Sequence, residues 1–157
     1  MQIKGIGKIK AIQLKALCEF ATRMNRPIDY RKIKIKSPGD IAKVLTSEMK
    51  HLKIEILKLV ILNNSNEILK IQNIVEGNSN MVAADAKNIL SEVIKMQAPK
   101  IILVHNHPSG NLIPSLNDIS FTKRIQQACE ILGVQLLDHI IIANNSYTSI
   151  IHEMTKI

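Results

Sequence analysis

The chain has 157 residues, 21 Lys+Arg against 13 Asp+Glu, a net charge of +8 and a hydrophobic content of 46%. That length is ample for one core with a small appendage, and that content is too high for a disordered chain. The apolar runs are short and broken by charge, which excludes a membrane-spanning protein, and the start MQIKGIGKIK lacks the unbroken apolar stretch of a signal peptide. Two cysteines, Cys18 and Cys129, are too few for a disulfide scaffold, so the expected compartment is the reducing cytoplasm.

The charge is uneven. Residues 1–40 contain ten basic and three acidic residues, a local charge of +7, and leave +1 for the remainder. A basic arm therefore precedes a nearly neutral domain, and such an arm suits either phosphate contact or plain solvation.

In chain order, Gly5-Ile6-Gly7 reads as a tight turn, followed by apolar residues at helical spacing (Ala11, Leu14, Leu17, Cys18, Ala21) that predict a helix over about 8–24. Pro27 and the Lys32-Ile33-Lys34-Ile35-Lys36 alternation read as an extended linker. Ser37-Pro38-Gly39-Asp40 opens a second helix, with Ile41, Val44, Leu45 and Met49 on its apolar face. Residues 54–62 and 67–75 read as a hairpin around Asn63-Asn64-Ser65-Asn66. A helix is expected over 82–96, a buried strand over 100–104, a loop over 105–114, and a helix over about 115–132 ending at Gly133. Strands follow over 134–143 and 147–151. Strands mixed with helices define one α/β domain.

The densest polar cluster is His105-Asn106-His107-Pro108-Ser109-Gly110, then Ser115 and Asp118. Side chains two apart on extended chain point the same way, so His105 and His107 can face one spot. Two imidazoles and one carboxylate make a three-donor set that leaves a fourth position open, as in catalytic zinc sites. The bland alternative is an N-cap, Ser115-Leu116-Asn117-Asp118, with an acidic residue in the first turn. The joint spacing favours the metal set: His-x-His-Pro, seven residues between His107 and Ser115, then Ser-x-x-Asp. A zinc deaminase would need His-x-Glu and a Cys-x-x-Cys pair, which this sequence lacks. The histidines are contiguous with Asn106 rather than dispersed, which argues against an HNH nuclease. The same donors would also suit iron, so zinc is the preferred ion and not the only one. His139 reads as a hydrogen-bonded strand histidine rather than a spare ligand, His51 and His152 as surface residues, and both cysteines as small core fillers.

The pattern His105-x-His107, seven residues beginning with Pro108, Ser115-x-x-Asp118 resembles the metal motif of the JAMM (JAB/MPN-domain) metalloproteases. The wider context, including Pro114, Thr122 and Leu137-Asp138-His139, resembles the bacterial RadC-like branch, over essentially the whole chain. The resemblance implies a JAB/MPN-type, cytidine-deaminase-like mixed sheet flanked by helices over residues 39–157. Before it would come a basic linker (26–38) and a partial helix-hairpin-helix (1–25), since Lys4-Gly5-Ile6-Gly7-Lys8 and Ala11 are similar to the second half of that module. It implies one zinc per chain on His105, His107 and Asp118, and a peptide or isopeptide-like amide as substrate. It also implies an upstream glutamate as general base. Glu55, in Glu55-Ile-Leu-Lys-Leu-Val-Ile-Leu-Asn63, matches that position better than Glu67 or Glu76. Ser115 would donate to the tetrahedral oxyanion. The chain has Gly77-Asn78 and Ala86-Lys87-Asn88 where many relatives carry Gly-Thr and Pro-Arg-Glu. The family's association with DNA repair supports a second expectation, that residues 1–36 contact DNA phosphates and the metal domain is accessory.

Overall fold

Burial on both faces, not propensity alone, builds the sheet. In the computed structural model, which describes residues 7–24, 30–31, 33–76 and 81–156, five strands stand in the order β2-β1-β3-β4-β5. They are β1 (Ile56–Leu62), β2 (Ile68–Glu76), β3 (Lys100–Asn106), β4 (Gln135–Ala143) and β5 (Ser146–Ser149). β1 is antiparallel to both β2 and β3, β3 and β4 run parallel, and β4 and β5 close an antiparallel hairpin. The central strands are apolar on both sides because both faces are covered. On one face α2 (Pro38–Met49) lays Ile41, Leu45 and Met49 against Val60, Leu62, Ile102, Val104, Ile140 and Ile142. On the other, α3 (Met81–Lys95) and α4 (Leu116–Ile131) bring Ile89, Val93, Phe121, Ile125 and Cys129 to Leu57, Leu59, Ile101 and Leu103. The result is the mixed α/β sheet flanked by helices that the sequence implies.

Local chemistry sets the element ends. Ser37 precedes Pro38 at the start of α2, and the Asp40 carboxylate accepts from the backbone N–H of Lys36 and Ser37, at 2.9 Å each. In the β1–β2 turn, Asn63 Oδ1 accepts from the N–H of Ser65 and Glu67. Lys58, in the middle of otherwise apolar β1, is buried, and its ammonium donates to Glu48 of α2 at 2.8 Å and to Asn73 of β2 at 2.6 Å.

Four expectations change. The linker does not run through to residue 38: Lys34 forms a β-bridge with Glu67, Ile35 N–H donates to Asn66 O, and Ile35 is 4% exposed in the core. The Lys/Ile alternation is a half-buried strand signal, with Ile33 and Ile35 turned toward the apolar cluster. β3 extends to Asn106, so His105 is a strand residue and not a loop residue. The last strand stops at Ser149, whose hydroxyl accepts from His152 N–H and caps a short helix, α5 (Ile150–Met154). Cys18 is exposed, as is every described side chain of α1 (Lys8–Met24) through Ala21, whereas Cys129 is the core filler expected. The Gly5-Ile6 part of the basic arm, the Pro27 segment and Gly77-Asn78 lie outside the described residues. No described helix is long and apolar enough to cross a membrane.

Candidate metal centre

The end of the parallel β3–β4 pair meets the start of α4, and the polar cluster gathers there. His105 is the penultimate residue of β3, points to the α4 face with Leu103, and is fully buried. His107 follows the strand, its N–H donating to Ile142 O so that the ladder holds it one step further. Two residues of spacing therefore place both rings on one side, and their Nε2 atoms are 3.0 Å apart. The turn that follows needs Gly110, whose φ is +83° and whose missing Cβ would meet Asn144 Nδ2 at 3.0 Å. That turn brings Asn111 O to 2.7 Å from His107 Nδ1. A carbonyl only accepts, so Nδ1 carries the proton and a neutral His107 leaves Nε2 bare.

Asp118 is the third residue of α4, and the cap and the metal set share its carboxylate. Ser115 N–H and Oγ–H both donate to Oδ2 at 2.7 Å, and Ser115 Oγ accepts from Asp118 N–H at 3.1 Å, a complete capping box. The N-cap reading and the metal reading of Ser-x-x-Asp thus hold together. Oδ1 stays clear of the cap and lies 3.5 Å from His105 Nε2, while Oδ2 is 3.6 Å from His107 Nε2. Burial alone would raise this carboxyl, but His107, His105 and the Ser115 donors outweigh it and hold it well below the usual carboxylate range.

Glu55 comes from fifty residues upstream, just before β1, and its Oε1 lies 3.9 Å from His105 Nε2. It is placed by Asn106, which in the sequence is only the residue between two histidines. Asn106 Oδ1 accepts from Ile56 N–H at 2.8 Å and Nδ2 donates to Ile54 O at 3.0 Å, bracketing Glu55 on both sides. Asn106 is itself buried. The signal was its place as the last residue of a buried strand, where an unpaired amide would be costly. Asn106→Ala is expected to lower stability by about 1–3 kcal/mol through two lost buried hydrogen bonds, read by urea unfolding of the metal-free chain.

Ligand atoms of Glu55, His105, His107 and Asp118 all lie within 4.8 Å of one another. Around a tetrahedral ion with bonds of about 2.0–2.1 Å, neighbouring donors sit roughly 3.3 Å apart. The separations of 3.0, 3.5 and 3.6 Å bracket that figure. Carboxylate oxygens and bare imidazole nitrogens are all acceptors, and acceptors packed together in a half-buried pocket call for a cation. The donor set therefore fits a divalent metal.

The two rings differ in protonation. Complete burial pushes His105 down to about 4, so its ring is neutral across the physiological range. His107 is raised, first by its pairing with Asp118, and Glu55 is raised mainly by burial. The sequence-derived candidates Glu55, Ser115, His105, His107 and Asp118 thus meet in one place. His139, also fully buried, stands behind His105, with Nε2 2.8 Å from His105 Nδ1 and Nδ1 2.6 Å from Thr122 Oγ1. It is outside the donor group, as a strand histidine rather than a ligand. Glu67 instead accepts from Asn63 Nδ2 in the hairpin turn. His51 and His152 are exposed.

Sheet, helices and convergent donors define a JAB/MPN-type α/β domain carrying a group that could hold a metal. The chain belongs to the RadC-like JAB domain family, whose description matches residues 35–155. It is 41% identical over 153 residues to a UPF0758 protein of Enterococcus faecalis, covering 98% of this chain and 66% of that protein. A UPF0758 protein of Alkaliphilus metalliredigens is 41% identical over 149 residues, covering 95% and 64% respectively. One from Clostridium botulinum is 43% identical over 150 residues, covering 94% and 65%. The chain spans just under two thirds of the length of these relatives.

Proposed function

We propose that the chain is a zinc-dependent amide hydrolase of JAMM type, acting on a peptide or isopeptide-like bond. The observation that carries this reading is the convergence of Glu55, His105, His107 and Asp118 at one strand–helix junction. His105 Nε2, His107 Nε2 and Asp118 Oδ1 would hold the ion. Bound there, zinc supplies a Lewis acid that brings the ionisation of water near neutral pH, to about 7 in well-studied zinc sites.

The protein's own groups do the remaining work. Glu55 takes a proton from the attacking water and passes it to the departing amine nitrogen. Its carboxyl, raised by partial burial, is a better proton acceptor than an exposed glutamate. Ser115 turns its hydroxyl from Asp118 Oδ2 to the oxyanion, a contact worth about 3–4 kcal/mol where such donors have been removed. Its backbone N–H keeps Asp118 Oδ2 bonded during that turn. A chain with only two cysteines, one exposed and one buried, fits a cytoplasmic setting.

The first test is metal uptake. The chain stripped of metal is expected to take up about one zinc per chain, and failure to do so removes the hydrolase reading. The pH dependence follows from His107. Its ring, raised by Asp118, carries a proton that must leave before Nε2 can bind metal. Zinc affinity should therefore fall as pH drops through neutrality, by about tenfold per unit, in a competition titration. His105, at about 4, adds no proton to that competition above pH 5.

A second reading concerns the arm. The described side chains of α1 through Ala21 are exposed and include Lys8, Lys10 and Lys15, and residues 1–36 would contact DNA phosphates. Such binding should weaken steeply with salt and disappear from a chain starting near residue 30, which keeps Ile33 and Ile35 in the core. Equal binding by the shortened chain assigns no such role to the arm.

A further inference from the structure

The donor group uses only one edge of the His105 ring. The other edge, Nδ1, faces inward and meets His139, and the two fully buried rings share a 2.8 Å nitrogen–nitrogen contact that needs one proton. Which ring supplies it is decided two bonds away. Thr122 Oγ1 lies 2.6 Å from the backbone carbonyl of Asp118 and 2.6 Å from His139 Nδ1. The carbonyl can only accept, so the single hydroxyl proton points at Asp118 O, and toward His139 the oxygen can only accept. His139 Nδ1 then carries a proton, its Nε2 is bare, and the proton between the rings belongs to His105 Nδ1. A neutral His105 is left with a bare Nε2, on the edge that faces Glu55, His107 and Asp118.

The opposite direction is the sole competitor. It would put a proton on His105 Nε2, aimed at His107, and would turn the Thr122 hydroxyl toward His139. That leaves Thr122 Oγ1 and Asp118 O facing each other at 2.6 Å with no proton between them, inside a buried turn of α4. The first direction leaves its one protonless contact between His105 Nε2 and His107 Nε2, where a cation would sit.

We propose that His139 and Thr122 are positioning residues: a one-way hydrogen-bond chain, His105 Nδ1–H to His139, His139 Nδ1–H to Thr122, Thr122 O–H to Asp118 O, locks His105 in the tautomer that presents its Nε2 lone pair. The chain also ties both ends of Asp118 to the site, its carboxylate as a candidate metal ligand and its carbonyl as the terminus. That this tautomer serves a metal rests on the proposed function. The tautomer itself does not. Partners of this kind behind a ligating histidine affect metal affinity because they fix ring orientation and basicity.

Long-range proton–nitrogen correlation spectra of the metal-free 157-residue chain with 15N-labelled histidine, at pH 7.5–8, read the tautomers directly. His105 and His139 are both expected to be protonated on Nδ1 with Nε2 bare. Protonation of His105 on Nε2 overturns the proposal. In Thr122→Val, which removes only the hydroxyl, and in His139→Leu, the His105 pattern should become mixed and zinc affinity fall about 10–100-fold. His139→Gln, which keeps an acceptor for His105 Nδ1, should recover part of that affinity. Unchanged affinity in all three variants also overturns it, and wild-type spectra decide the matter if a variant does not fold. A wild-type chain with these tautomers that takes up no zinc refutes the hydrolase reading and leaves the chain of bonds standing.

Discussion

Glu55→Gln should keep about one zinc per chain while lowering turnover by roughly 10²–10⁴-fold, the usual contribution of a positioned general base. Glutamine preserves size and the ability to accept a hydrogen bond, but it cannot take a proton at neutral pH. The distances support the separation of roles. Glu55 Oε1 is 3.9 Å from His105 Nε2, against 3.5 and 3.6 Å for the Asp118 contacts to the histidines, so it is the member least needed to hold an ion. Metal analysis of the purified variant reads the first half of the expectation. Single-turnover cleavage of whichever peptide a library screen selects for the wild type reads the second. Loss of zinc in Glu55→Gln would instead make Glu55 a ligand and leave the proton transfer without a base.

Asp118→Ala should abolish zinc uptake and also destabilise the metal-free chain, because one carboxylate serves both the donor set and the α4 cap. The cap portion is worth about 0.5–2 kcal/mol. Ser115→Ala separates the two. It removes the hydroxyl half of the capping box and should cost a similar amount in thermal unfolding of the metal-free chain. The Ser115 N–H still holds Asp118 Oδ2, however, and Oδ1 still faces His105, so zinc should be retained. If both variants lose zinc equally, the cap, and not the carboxylate, governs the site.

Much of the site was legible because its residues obey short-range rules. His105 and His107 repeat with strand period, and Ser115 and Asp118 are spaced as a cap box, so local geometry converges the pairs before any tertiary detail is known. Glu55 could be placed only through its family position, since a glutamate at the start of an apolar strand is ordinarily solvent-facing. Asn106, Thr122 and His139 escaped a functional reading for a different reason. Each acts by hydrogen bonds to residues far away in sequence or to backbone, as Asn106 does fifty residues back at Ile56 and His139 does across the parallel ladder at His105. Nothing in a one-dimensional spacing announces that. Similarly, Lys32 to Lys36 reads as a linker because charge dominates its composition, yet the burial of Ile33 and Ile35, with backbone bonds to Asn66 and Ile68, brings Lys34 against Glu67 beside β2.

The strand order carries a consequence for how the donor group comes into being. β1 must find β3 across some forty intervening residues, and β3 must find β4 in parallel around α4, before four ligand atoms share one space. No isolated hairpin of this chain contains the set, so an ion that needs all of it has almost no affinity for the unfolded ensemble. Occupancy then acts as a brace on the last-formed tertiary structure: metal at a hundred times its dissociation constant adds about 2.7 kcal/mol to the unfolding free energy. With zinc as the proposed ion, the melting temperature should rise with free zinc and fall on adding a chelator. On the proposed function, the lifetime of the folded chain would follow the metal supply, independently of the hydrolysis proposed for it.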